Sequence, residues 1–151
     1  MSHNHREVFV YNKTKETFLG TRIKVADTVL GRLIGLLGKK SLRSDCGVWL
    51  VPANSIHTFG MLFPIDIVLI DKNFKVVGLR ELVRPFSLTW PNFGAESVIE
   101  LPAHCIFKSR TEVGDELLIE RHEARPPSIS GSVKGTGDRD QPVSRYTSVD
   151  T

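Results

Sequence analysis

Apolar and polar positions along this chain mark a series of strands, with a period of two clearest near the start, and one stretch where the period becomes helical. Arg-Glu-Val-Phe-Val-Tyr at 6–11 reads as a strand that turns at Asn12-Lys13-Thr14-Lys15. From Phe18 to Ala26, Thr21, Ile23 and Val25 share one face and Arg22 and Lys24 the other, the mark of a half-buried antiparallel strand. From Asp27 the spacing of Val29, Leu30, Leu33, Ile34, Leu36 and Leu37 becomes helical. Asp27 or Thr28 suits its N-cap, and Gly38 with Lys39 and Lys40 suits its C-terminus. This predicts one main helix at 28–38, about three turns long.

Strand signals then resume. Gly47 to Val51 reads as a short buried strand that Pro52 ends. A loop at 53–63 leads into a strand at 64–71, a turn at Asp71-Lys72-Asn73-Phe74 and a return strand at 75–83. Residues 84–96 hold two prolines and three aromatics and read as an irregular covering loop. A strand at 97–101, a helical turn at 104–110, a turn at Gly114-Asp115 and a last strand at 116–120 complete the domain. The segment 121–151 is Ser, Pro, Gly, Thr and charge without period, and is expected to be a disordered tail. The expected architecture is α+β and predominantly β. A single domain at 6–120 curls its antiparallel strands into a half-open barrel or sandwich with one main short helix.

The most informative stretch is Ser55-Ile56-His57-Thr58-Phe59-Gly60-Met61-Leu62-Phe63-Pro64-Ile65-Asp66-Ile67-Val68-Leu69-Ile70-Asp71. It carries a polar-aromatic loop into a strand that is apolar almost throughout, with Asp66 embedded. A buried carboxylate needs a partner or stays protonated, so Asp66 marks a structured polar site. Asp66 could orient His57 for acid–base chemistry or anion binding, or accept loop backbone N–H groups. The aromatics Phe59, Phe63, Phe86, Trp90 and Phe93 belong to the two irregular loops, where they either line a groove or roof the sheet.

Composition narrows the function classes. The chain has 151 residues and a net charge of +3. Residues 1–45 carry nine Lys/Arg against four Asp/Glu, net +5, while residues 46–120 carry six against nine, net −3. No nucleic-acid motif accompanies the basic half, so a nucleic-acid partner is not expected. Cys46 and Cys105 form no close pair and are expected to be reduced thiols. No signal peptide and no apolar run near the ~20 residues of a membrane span is evident, which gives a cytoplasmic expectation without membrane contact. His57, His104, Cys46, Cys105 and Asp66 lack metal-site spacing, and no Gly-x-Ser-x-Gly elbow or phosphate loop opens a helix. No metal and no cofactor are expected.

Three blocks resemble the family named domain of unknown function 192. They are Arg32-Leu33-Ile34-Gly35-Leu36-Leu37-Gly38, the run Ser55 to Asp71, and Val98-Ile99-Glu100-Leu101-Pro102-Ala103 followed by Gly114-Asp115. The resemblance spans about residues 22–120 and implies a compact β-rich prokaryotic protein with one or two short helices. Relatives often have Cys where this chain has Ala53, Arg where it has Leu62, and Gly where it has His104. The resemblance implies no activity.

These readings lead to a non-catalytic binding or accessory domain. An unknown small molecule or protein would dock in a groove between the 53–63 and 84–96 loops. The candidate site residues are His57, Thr58, Asp66, Arg32, Met61 and Phe63. The alternatives are a small hydrolase or isomerase using His57 and Asp66, and a weak RNA-associated accessory protein.

Overall fold

A computed structural model describes residues 6–28, 36 and 38–121. Seven strands form one sheet: β1 (Glu7–Asn12), β2 (Thr17–Ala26), β3 (Cys46–Leu50), β4 (Ile65–Ile70), β5 (Val76–Val83), β6 (Ser97–Pro102) and β7 (Leu117–Arg121). Their order is β5-β4-β6-β3-β2-β1-β7. Each falls where the period-two pattern places it. β7 runs through Arg121, the first residue of the expected tail. Apart from Thr28, Leu36 and Gly38, the expected main helix lies outside the described residues, as does the rest of the tail. Gly38 takes φ +74, the conformation the helix stop requires.

All described neighbours pair antiparallel except β2 and β3, which run parallel across the long 27–45 connection. The sheet curls until its two edges touch at one end. Lys75 bridges Glu116, Val76 N–H donates to Asp115 C=O at 2.9 Å, and Leu117 N–H donates to Phe74 C=O at 2.9 Å. The result is a half-barrel. Among the described residues no helix is long and apolar enough to cross a membrane.

Two apolar clusters lie on opposite faces of this sheet. Val10, Leu19, Ile23, Val68, Ile70, Ile99 and Leu101 fill the concave side. They pack there against Ile106 of the short helix α1 (Cys105–Ser109). Val48, Leu50, Ile65, Ile67, Leu69 and Val98 cover the other side, beneath Ile56, Met61 and Ala95 from the loops. Both faces of β4 are therefore covered, which is why it can be apolar at nearly every position. Alternation along β4 puts Asp66 on the concave face with Val68 and Ile70.

A buried polar network ties the ends of this core together. Asn12 Nδ2 donates to Asp115 Oδ2 at 2.8 Å and to Thr111 Oγ1 at 3.2 Å, and Glu112 N–H reaches the same Asp115 oxygen at 2.9 Å. The β1–β2 turn is thereby fixed to the turn before β7.

Candidate functional site

The two irregular loops meet, and where they run side by side they form a hydrogen-bonded ribbon. Thr58 N–H donates to Ser87 C=O at 2.8 Å, Thr89 N–H to Ile56 C=O at 2.9 Å and Asn92 N–H to Asn54 C=O at 2.9 Å. His57 and Leu88 face each other between the first two of these bonds. Thr58 ties the corner: its hydroxyl donates to Arg84 C=O at 2.7 Å and accepts from Ser87 N–H at 2.8 Å. Thr58 is fully buried with its hydroxyl saturated, so it anchors the ribbon.

Alternation gives the ribbon two unlike faces. Ile56, Thr58, Ser87 and Thr89 turn inward toward the second cluster. The other face carries Leu88 and Trp90, exposed by 71% and 86%, while Phe86, at φ +56 in the turn before them, and Phe59, stacked on His57, are 65% and 50% exposed. Leu62 and Phe93 of the same two loops are 62% and 91% exposed. Sequence placed a groove between these loops. Along the paired stretch, hydrogen bonds fill that space and the aromatics stand on the outer surface. The roofing role falls instead to Ile56, Met61 and the half-buried Phe63 and Ala53.

His57 lies within this apolar face. Cross-strand partners share a side, so its ring stands with Leu88. It stacks on Phe59 with centroids 5.4 Å apart and planes 22° apart. Its Nδ1 is buried and has no hydrogen-bond partner among the described residues. Asp66 sits elsewhere. Its Oδ1 accepts from Leu82 N–H at 3.0 Å and its Oδ2 from Ile106 N–H at 2.9 Å. The carboxylate caps α1, whose N-cap residue His104 makes no side-chain cap of its own, and it holds Leu82 at φ +53. The sheet stands between Asp66 on its concave face and the ribbon that carries His57. Met61 is buried in the roof, and Arg32 lies outside the described residues.

The departures at Ala53, Leu62 and His104 have separate settings. His104 adopts φ 68, a left-handed conformation that costs a β-carbon residue energy and that glycine takes freely. Leu62 extends the exposed apolar face, and Ala53 packs against the second cluster.

Among the described residues, one polar residue that sequence reading did not single out shares with His57 a buried side-chain atom without a partner. Glu100, on β6 between Val48 of β3 and Ile67 of β4, projects into the second cluster and is 4% exposed. Its Oε2 has no hydrogen-bond partner among the described residues, and burial pushes the carboxyl up to about 7. The signal that marked Asp66, an acid inside an apolar run, is equally present in Val98-Ile99-Glu100-Leu101.

Neither thiol is suited to nucleophilic work. Cys105 donates to Leu19 C=O at 3.1 Å, and burial pushes it up to about 12. Burial, and then the adjacent Asp45, raise Cys46 as well. Both are free. Among the described residues no three His, Cys, Asp or Glu side chains are grouped to hold a metal ion. A cleft of about 600 Å³ beside α1, lined by Tyr11, Phe18, Leu19 and Lys108, is a second concavity.

Comparison with known proteins gives one consistent picture. The profile of a family described as an uncharacterised ACR, DUF192, matches residues 10–119. A UPF0127 protein of Thermococcus sibiricus is 35% identical over 119 residues, covering 76% of each chain. The UPF0127 protein PH1112 of Pyrococcus horikoshii is 30% identical over 113 residues, 72% of this chain and 96% of the relative. The crystal structure of a protein of unknown function from Novosphingobium aromaticivorans superposes with a TM-score of 0.65 at 19% identity. That likeness covers 74% of this chain and 83% of the other, and at this identity it speaks for the fold alone.

Proposed function

The chain belongs to the domain of unknown function 192 family, whose relatives named above are uncharacterised, and we propose that it is a non-catalytic binding domain that docks its partner on the outer face of the ribbon 54–59/86–93. One observation carries this reading: the two hydrogen-bonded loops leave Phe59, Leu62, Phe86, Leu88, Trp90 and Phe93 half to nine-tenths exposed, with Phe59 and Leu88 both set against His57. The largest apolar patch on a monomer is often its functional surface, and aromatic side chains gathered in one are the mark of a docking site. Trp and Phe are also the side chains that dominate binding energy at interfaces. His57 adds ring surface to this face, stacked on Phe59 and opposite Leu88. The acid–base alternative needs Asp66 to orient His57, whereas both Asp66 oxygens are used by backbone N–H groups on the other face of the sheet.

The test is an NMR fragment screen on the full chain with assigned amides. Aromatic fragments are expected to shift the amides of 56–62 and 86–93. Hits confined to the cleft between Phe18 and Lys108 would overturn the assignment.

A further inference from the structure

The ribbon has an open edge as well as an apolar face. Thr89 N–H and Ser87 C=O point inward to the 56–58 strand. The intervening residue, Leu88, turns its N–H and C=O the opposite way, and among the described residues neither forms a hydrogen bond. The N–H of Trp90 and the C=O of Phe86 are likewise unbonded there, while Phe86 N–H is already satisfied by Thr58 C=O at 3.0 Å. An exposed strand edge of this kind is a template for another strand.

The sequence along that edge is self-complementary. Phe86-Ser87-Leu88-Thr89-Trp90 reads, from either end, as aromatic, small hydroxyl, leucine, small hydroxyl, aromatic. We infer that a second copy of this chain is the occupant, its 86–90 segment pairing antiparallel with the same segment about a two-fold axis at Leu88. The contact is isologous, as a two-fold dimer requires. Leu88 N–H donates to the partner's Leu88 C=O, and Leu88 C=O accepts from the partner's Leu88 N–H. Trp90 N–H donates to the partner's Phe86 C=O, again twice by symmetry. The central pair uses only groups left open, while the outer pair keeps one bond of its two, because Phe86 sits at φ +56 with its N–H turned inward to Thr58 C=O.

Side chains and charges agree with the same register. In this register Phe86 of one copy comes opposite Trp90 of the other, at the end of the extended stretch where Phe86 turns to φ +56. Arg84 lies across from Asn92 and Pro85 from Pro91, so no like charges are opposed. The paired ribbons make one continuous apolar face of double size. The inference therefore rests on the reading of this ribbon as a docking surface and extends it to a two-copy platform. An edge contact this short falls below the ~800 Å² per partner of a standard interface, so the dimer is weak and reversible.

The experiment uses the full chain. Sedimentation velocity from about 1 to about 500 µM is expected to show a monomer–dimer transition. The geometry is read by cross-linking in a Cys46→Ser background under copper-phenanthroline and air. Leu88→Cys meets its own copy across a hydrogen-bonded pair whose Cα atoms stand ~5.5 Å apart, within disulfide reach, so it cross-links alone. Phe86→Cys does so only when mixed with Trp90→Cys. Leu88→Lys sets two cations at the axis and shifts the midpoint at least tenfold upward, with an unchanged thermal melt at low concentration. A chain that stays monomeric throughout overturns the inference, as does a dimer that Phe86→Cys cross-links by itself. If fragments still land on the ribbon of such a monomer, self-pairing fails while the docking surface stands.

Discussion

Replacing Glu100 by Gln removes the one buried carboxyl that burial holds far above its ordinary range. In the folded chain it titrates at about 7, against its ordinary value of 4.5 when unfolded. Between these values the unfolded state has released the proton and the folded state still holds it. Stability therefore falls as pH rises through this window and levels off above it. A gap of this size corresponds to about 3 kcal/mol between pH 4 and pH 8. Glutamine keeps the shape of the protonated acid and cannot ionise. In urea melts of both proteins across that range, the Gln variant is expected to gain on the native chain by about 3 kcal/mol as pH rises. Other carboxyls titrate in both proteins and cancel in the difference. A difference flat to within about 0.5 kcal/mol would refute the reasoning, because it would mean that Glu100 is hydrated or paired in solution.

Asp66→Ala is expected to cost about 3 kcal/mol by urea melt, because it orphans the N–H groups of Leu82 and Ile106. Asp66→Asn recovers only part of this, since its amide presents a donor to one of those donors. His104→Gly relieves a left-handed β-carbon residue at the α1 cap and is expected to raise stability by about 0.5–1 kcal/mol, read as an upward shift in Tm. An unchanged or lowered Tm would indicate that the His104 side chain contributes packing of its own.

The seven strands were legible because a strand with one covered face writes its period of two directly into the sequence. The apolar run of β4, broken only by Asp66, was readable as a strand, and the structure adds that both of its faces are covered. The rule that a buried acid needs a partner located Asp66 correctly. Its partners are backbone N–H groups 16 and 40 residues away, and no local pattern encodes such a contact. The same rule, applied to Val98-Ile99-Glu100-Leu101, would have found Glu100. The ribbon strand was hidden by a different effect. Phe86, Leu88 and Trp90 do alternate with Ser87 and Thr89, but Pro85 and Pro91 flank them and suggest an irregular loop. Its alternation is also inverted, with hydroxyls inward on the partner strand and apolar side chains outward. Sequence expects the apolar side of a strand to face the core, so it had no reason to place an exposed surface there.

The central claim is that these outward side chains serve binding and contribute little to the core. The most direct test replaces Leu88, Trp90 and Phe93 together by Ser in the full chain, followed by urea melts and titration with an aromatic fragment that binds the native protein. Side chains this exposed are expected to cost within about 0.5 kcal/mol each, while the fragment affinity is lost. A loss of several kcal/mol with fragment binding retained would contradict the account, and would make the aromatic face part of the roof.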